Sequence, residues 1–182
     1  MQTHSITRVV ITGPESTGKT ALAQALSGKY AAQWIPEYAR QYVENLDRPY
    51  VFDDVVAIAQ HQMAEELSYV SEAGRGVLFF DTWLIITKIW FDLVFGNCPE
   101  WIIDHIRSSK IDLFLVCDTD LPWVADAVRE NGGEKREQLL HIYCDEIRSF
   151  GFQYEVITGF GPVRLENAVK ALLKHGLNLS SD

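Results

Sequence analysis

A glycine, four variable residues, a second glycine, a lysine and a threonine, "GPESTGKT" at Gly13 to Thr20, sit between two runs of different periodicity. Before them, Arg8 to Thr12 ("RVVIT") is short, apolar and β-branched, the composition of a buried strand. After them, Leu22, Leu26 and Tyr30 recur at helical spacing, so a helix begins near Gly18. Strand, glycine loop and helix in this order make a phosphate cradle. The glycines let backbone N–H groups turn inward, and the helix N-terminus adds partial positive charge. Gly13, Glu15, Ser16, Thr17 and Gly18 would form that loop. Lys19 would reach the β- and γ-phosphates, and the Thr20 hydroxyl would ligate Mg²⁺. A nucleoside triphosphate is the expected ligand.

The rest of the chain shows the same alternation of strand and helix. Gln33 to Ile35 is a short second strand ended by Pro36, and Val77 to Phe80 a buried third strand ending in Asp81. Ile111 to Cys117 and Tyr154 to Ile157 supply the fourth and fifth. A long helix between the second and third carries Val55, Ile58, Met63, Leu67 and Val70, with Asp53 as its expected cap. "WLIITKIWFDLVF" reads as one helix, Glu100 to Ser108 as another, and Leu139, Tyr143 and Ile147 mark a third. Pro162 opens a last helix bearing Leu165, Val169, Leu172 and Leu173. Repeated units of this kind imply an α/β fold whose mainly parallel sheet is covered on both faces. With no linker or repeat in 182 residues, residues 1–182 are expected to form one domain.

Composition narrows the partners. A net charge of −9 disfavours a broad footprint on nucleic acid but leaves a local phosphate cradle untouched. The longest apolar region is interrupted by Asp81, Lys88 and Asp92, so no membrane span is expected. The N-terminus lacks a basic region followed by an apolar segment, and Cys98, Cys117 and Cys144 form neither a disulfide framework nor a zinc pattern. A cytoplasmic protein with reduced thiols is the expectation.

In an open parallel sheet, ligands bind beyond the carboxyl ends of the strands. Asp81, ending the third strand, is placed to serve Mg²⁺ and its water shell, or to cap a turn. Glu37 and Arg40, after the second strand, would share a helix face. There a carboxylate could take a hydroxyl proton and a guanidinium could hold an oxygen, or the two could form a surface ion pair. Tyr38 and Trp83 are candidate stacking partners for a flat substrate ring, with core packing the alternative. Trp90, inside an apolar helix, is expected in the core. Arg129 and Arg136 flank a glycine turn in a polar excursion after the fourth strand, which reads as a lid over phosphates or as a solvated loop. Asp118 and Asp120 read as strand-end solvating groups, and Asp126 as a lid ion-pair partner or metal-shell group.

Together "GPESTGKT", "PEYARQYV", "AIAQHQ", "VLFFDT", "ITKIW", "LPWVADAVR" and "ITGFGPVRLENAV" resemble the ribosylnicotinamide kinase domain of NadR-like proteins, from Arg8 to about Lys174. The resemblance implies a nucleotide-kinase-like P-loop fold, three layers α/β/α, with strand order 2-3-1-4-5. It also implies ATP- and Mg²⁺-dependent phosphorylation of nicotinamide riboside to the mononucleotide. By that resemblance Lys19 and Thr20 serve the phosphates and metal, Glu37 and Arg40 face the acceptor, Asp81 serves the metal shell or the acceptor hydroxyl, and Arg129 and Arg136 close as lid residues. Related deoxynucleoside kinases place a base after the second strand, which favours Glu37 over Asp81 for proton abstraction. Trp83 and Pro36 depart from residues common in the family, and both fall on the acceptor side. Segments matching the adenylyltransferase and DNA-binding parts of full-length NadR are not expected in this sequence. A kinase for another nucleoside or small alcohol, or a regulatory ATPase without an acceptor, fits the same motifs.

Overall fold

The structure is a computed structural model describing residues 6–73, 76–124 and 133–179. Strands β1 (Thr7–Thr12), β2 (Gln33–Ile35), β3 (Val77–Asp81), β4 (Leu113–Cys117) and β5 (Tyr154–Ile157) form one sheet. Its order is β2-β3-β1-β4-β5, and every pairing is parallel. The helices are α1 (Lys19–Tyr30), α2 (Tyr38–Glu44), α3 (Phe52–Ala73), α4 (Leu84–Trp90), α5 (Glu100–Ser108), α6 (Glu134–Ser149) and α7 (Pro162–Lys174).

Strand residues alternate between two cores, as the two-residue period of a strand demands. Val9, Ile11, Phe79, Leu113 and Leu115 pack with α1 and α7 through Leu22, Leu26, Ala168 and Leu172. Val10, Phe80, Phe114 and Val116 face the other way, onto Val55 and Ala59 of α3, Ile85 of α4, Ile102 of α5 and Ile147 of α6. Both faces are therefore covered, which explains why the central stretches of β1, β3 and β4 are continuous apolar runs. Among the described residues, no helix is long and apolar enough to cross a membrane. The three cysteines are free, with Cys117 and Cys144 buried.

Local chemistry moves several boundaries from their expected places. The helix after β3 does not run unbroken: α4 passes at Phe91–Phe95 into a turn of π-helix that Gly96 closes at φ 76°. Trp90 is half-buried and meets Tyr50 edge-on at 4.8 Å. Asp54, rather than Asp53, caps α3: it is buried, and its Oδ2 accepts the Val51 N–H at 2.7 Å. Asp54 also receives Arg48 Nη1 at 2.6 Å and the Tyr42 hydroxyl at 3.1 Å, while Asp53 is exposed. Leu67 and Leu173, expected on apolar faces, are exposed.

The register positions the site. Ile11 pairs with Asp81, Thr12 with Val116, and Ile35 with Phe80. The residues following β1, β2, β3 and β4 consequently share one edge of the sheet.

Candidate active site

The loop from Gly13 to Gly18 turns at that edge. Gly13 has φ 136°, and a Cβ there would lie 2.6 Å from the Cys117 carbonyl oxygen, so β4 leaves room for glycine alone. Gly18, at φ 77°, precedes α1, and Ser16 is also left-handed at φ 59°. Two side chains brace the loop from inside: the buried Thr17 hydroxyl donates to the Pro14 carbonyl at 2.8 Å, and Lys19 Nζ donates to the same oxygen at 2.9 Å. The Ser16 hydroxyl donates to the Pro122 carbonyl at 3.3 Å and accepts the Val124 N–H at 3.0 Å. The loop is thus tied to the segment that follows β4.

Thr20 and Asp81 meet. The Thr20 hydroxyl donates to Asp81 Oδ2 at 2.5 Å, joining the first turn of α1 to the end of β3. Asp81 is 1% exposed, and its second oxygen, Oδ1, is buried without a hydrogen-bond partner. Burial pushes this carboxyl up to about 6 against the lowering hydrogen bond from Thr20; the Glu37 charge raises it further, and Lys19 opposes. An orphaned carboxylate oxygen is expensive unless something arrives to use it. The oxygen donors of Thr20 and Asp81 suit a hard cation such as Mg²⁺, which takes few protein ligands and relies on phosphate oxygens and water. Among the described residues no group of three or more His, Cys, Asp or Glu could hold a metal ion.

After β2, Glu37 is the residue preceding α2, in extended conformation. Arg40 Nε donates to Glu44 Oε1 at 2.8 Å on the exposed side of the helix. Tyr38 stacks on His61 of α3, ring centroids 3.5 Å apart.

The structure corrects two expected ligand contacts. Trp83 is no stacking plate for a substrate ring: it is 2% exposed and packs against Phe114 and Phe152. Its indole N–H donates to Glu66 Oε2 at 2.8 Å, and Glu66 also receives Arg8 at 3.1 Å. Arg136 is not a free lid cation. It is buried, and one guanidinium nitrogen donates to the carbonyls of Thr119 and Leu121, propping up the segment after β4. Arg129 and Asp126 lie outside the described residues.

Arg164 and Glu66 were not evident from local pattern. Arg164 is 4% exposed; its Nε donates to the Gly159 carbonyl at 2.7 Å, and its terminal nitrogens reach the Thr17 carbonyl and Asp120. Asp120 also accepts the Gly159 N–H at 2.6 Å, so it is a structural partner, while Asp118 Oδ1 caps the Thr119 N–H at 2.7 Å. The available signal was position. Arg164 stands four residues before Ala168 and seven before Ala171, on the buried face of α7. Glu66 likewise falls on the stripe of Val55, Ala59 and Gln62 in α3.

A family model described as an AAA domain matches residues 8–163. The chain belongs to that AAA domain family. This AAA domain is also 26% identical over 130 residues to the trifunctional NAD biosynthesis/regulator protein NadR of Salmonella typhimurium, and equally to that of Escherichia coli. The alignments cover 68% of the chain but 31% of each relative, so the matched part is about a third of their length. A crystal structure of NadR in complex with NR superposes with a TM-score of 0.81 at 22% identity, covering 100% of this chain and 53% of that one. Deoxyadenosine kinase from M. mycoides with bound dATP gives a TM-score of 0.56 at 14% identity, over 92% of this chain and 99% of its own. These likenesses show the P-loop kinase fold.

Proposed function

We propose that this chain is an ATP-dependent kinase that phosphorylates nicotinamide riboside to nicotinamide mononucleotide, a salvage step toward NAD in the cytoplasm. The observation that carries the reading is a division of labour at the sheet edge. Asp81 is bound to the P-loop threonine, whereas Glu37 follows the neighbouring strand, near enough for its charge to raise Asp81. A nucleotide-hydrolysing module needs the first carboxylate; a kinase with an alcohol acceptor gains from the second. The likeness to NadR, solved in complex with NR and also with NAD and AMP-PNP, supports the choice of acceptor.

In this reading Gly13 to Gly18 offer backbone N–H groups to the phosphates, and Lys19 exchanges the Pro14 carbonyl for phosphate oxygens. Thr20 and Asp81 would hold Mg²⁺, which when bound offsets charge on the phosphate oxygens. Glu37 accepts the proton of the acceptor hydroxyl as its oxygen bonds to the γ-phosphorus. The bond from that phosphorus to the β–γ bridging oxygen breaks, and ADP leaves. Arg129 is the candidate for a lid cation over the transferring group. Tyr38 and Arg40 stand beside Glu37 to position the acceptor.

The test is ADP release with and without acceptor, over a panel of nucleosides. A kinase of this kind releases ADP at a rate that nicotinamide riboside raises at least about 10²-fold. An acceptor-independent rate would make the chain an ATPase.

A further inference from the structure

Glu66 of α3 is a buried carboxylate, 4% exposed, on which three other parts of the fold converge. Its Oε1 accepts Arg8 Nη1 of β1 at 3.1 Å. Its Oε2 accepts the Trp83 indole N–H at 2.8 Å and lies 3.3 Å from His105 Nε2 of α5. The side chains of Arg8 and His105 keep 22% and 20% of their exposure, so water can reach both. Trp83 is sealed in, with its ring against Phe114 and Phe152. It also ends the corner between β3 and α4, where its carbonyl accepts the Ile86 N–H at 3.0 Å. The corner Asp81, Thr82 and Trp83 is therefore pinned along its length. The Thr20 hydroxyl donates to Asp81, the N–H of the left-handed Thr82 donates to the Ile11 carbonyl, and the Trp83 indole donates to Glu66.

We propose that Glu66 is a positioning residue of the active site: through the Trp83 indole it holds the corner after β3 so that Asp81 presents its carboxylate to a metal-bound nucleotide. The proposal rests on the reading above in which Thr20 and Asp81 hold Mg²⁺, and it names what aims Asp81. A buried carboxylate is costly, and an apolar side chain of similar volume would fill the same space at least as well. What Glu66 supplies and a methionine would not is a fixed acceptor for the indole N–H. Without that acceptor the N–H is buried and unpaired, which is unfavourable. A ring packed between Phe114 and Phe152 recovers a partner only by turning. Turning it shifts the backbone at Trp83, next to Thr82 and two residues from Asp81. Groups that orient a metal-binding carboxylate from behind typically change metal affinity or activity by about 10- to 100-fold when removed.

The experiment measures by calorimetry the Kd of AMP-PNP with Mg²⁺ and with EDTA, for wild type, Glu66→Met, Glu66→Gln, Trp83→Phe and the double variant Glu66→Met with Trp83→Phe. Glu66→Met should weaken the Mg²⁺-supported complex about tenfold and leave metal-free binding within about twofold. The kcat for ADP release should fall about tenfold, with the acceptor KM within about twofold of wild type. Glu66→Gln keeps an acceptor for the indole, and Arg8 can turn to water, so it should recover most of the loss. Trp83→Phe should reproduce the loss, and the double variant should lose no more than Glu66→Met alone, because both changes cut one link. Melting temperatures report folding; if Glu66→Met does not fold, Trp83→Phe, which keeps the carboxylate, carries the same prediction. An unchanged Mg²⁺-supported Kd, equal weakening with and without metal, a Glu66→Gln variant as weak as Glu66→Met, or losses that add in the double variant would overturn the assignment. Failure of the kinase reading looks different: Mg²⁺-supported binding weakens as stated, but no acceptor-dependent ADP appears in wild type.

Discussion

Thr20 Oγ1 lies 2.5 Å from Asp81 Oδ2, and this hydrogen bond joins the phosphate loop to the strand beside it. The register of β1 with β3 makes the meeting possible, since Ile11 and Asp81 are paired and the chain turns immediately after each. Thr82 then takes a left-handed conformation, φ 66°, uncommon for a β-branched residue, with its N–H on the Ile11 carbonyl at 2.9 Å. That corner fixes Asp81 against α1. One carboxylate oxygen is thereby committed to Thr20 and the other left for a ligand.

Lys19 tests the loop. Its ammonium contacts a backbone carbonyl within the loop, so the fold has little need of it. Lys19→Ala should lower phosphoryl transfer by at least about 10²-fold while the circular-dichroism melting curve stays in place. Full activity in the folded variant would remove the loop from the mechanism.

Arg164 is expected to couple stability to nucleotide binding. It spans the Thr17 carbonyl, the Gly159 carbonyl and Asp120 from a buried position in α7. Removing one member of a buried pair is costly, and Asp120 keeps partial access to water, so Arg164→Met should cost about 2–4 kcal/mol in urea unfolding. Because Thr17 belongs to the loop, KM for ATP should rise as well. A variant as stable as wild type would show that the guanidinium is dispensable.

Trp83 separates core from acceptor contact. Trp83→Phe loses the hydrogen bond to Glu66 and leaves space beside Phe114 and Phe152. Stability should fall by about 1–3 kcal/mol with the acceptor KM within about twofold of wild type. An acceptor KM raised tenfold at unchanged stability would restore the stacking role.

These residues mark where local sequence stops being informative. The cradle and the five strands were legible because "GPESTGKT" fixes backbone geometry within eight residues and short apolar runs mark buried strands, whereas the strand order came only with the family resemblance. Asp81 was legible for the same reason, as a carboxylate at a strand end. Trp83 and Arg136 were not, because an indole or guanidinium serves equally well in a core or on a ligand. Only the tertiary partners, Glu66 in one case and two loop carbonyls in the other, decide. The capping of α3 moved by one residue because Arg48 and Tyr42 reach Asp54 from the preceding segment.

Asp54 carries an acid-sensitive part of the stability. Hydrogen bonds from Arg48 and the Val51 N–H hold its carboxyl well below the usual carboxylate range, with burial opposing. A folded-state value below the unfolded one contributes stability above an unfolded pKa of about 3.9, lost as pH falls toward the folded value. Wild type should therefore melt above Asp54→Asn by a constant margin from about pH 5 to 8, and the margin should shrink below about pH 4. A margin that grows on acidification would contradict the sign.

The account depends most on Glu37 taking a proton from an acceptor that becomes phosphorylated. Phosphorus NMR of the protein with ATP, Mg²⁺ and nicotinamide riboside measures this directly, because the γ-phosphate signal must reappear as a phosphomonoester of the riboside. Wild type is predicted to produce that signal, and Glu37→Gln to slow its appearance by about 10²-fold or more with ATP affinity nearly unchanged. Inorganic phosphate as the sole product, or a Glu37→Gln variant as fast as wild type, would contradict it.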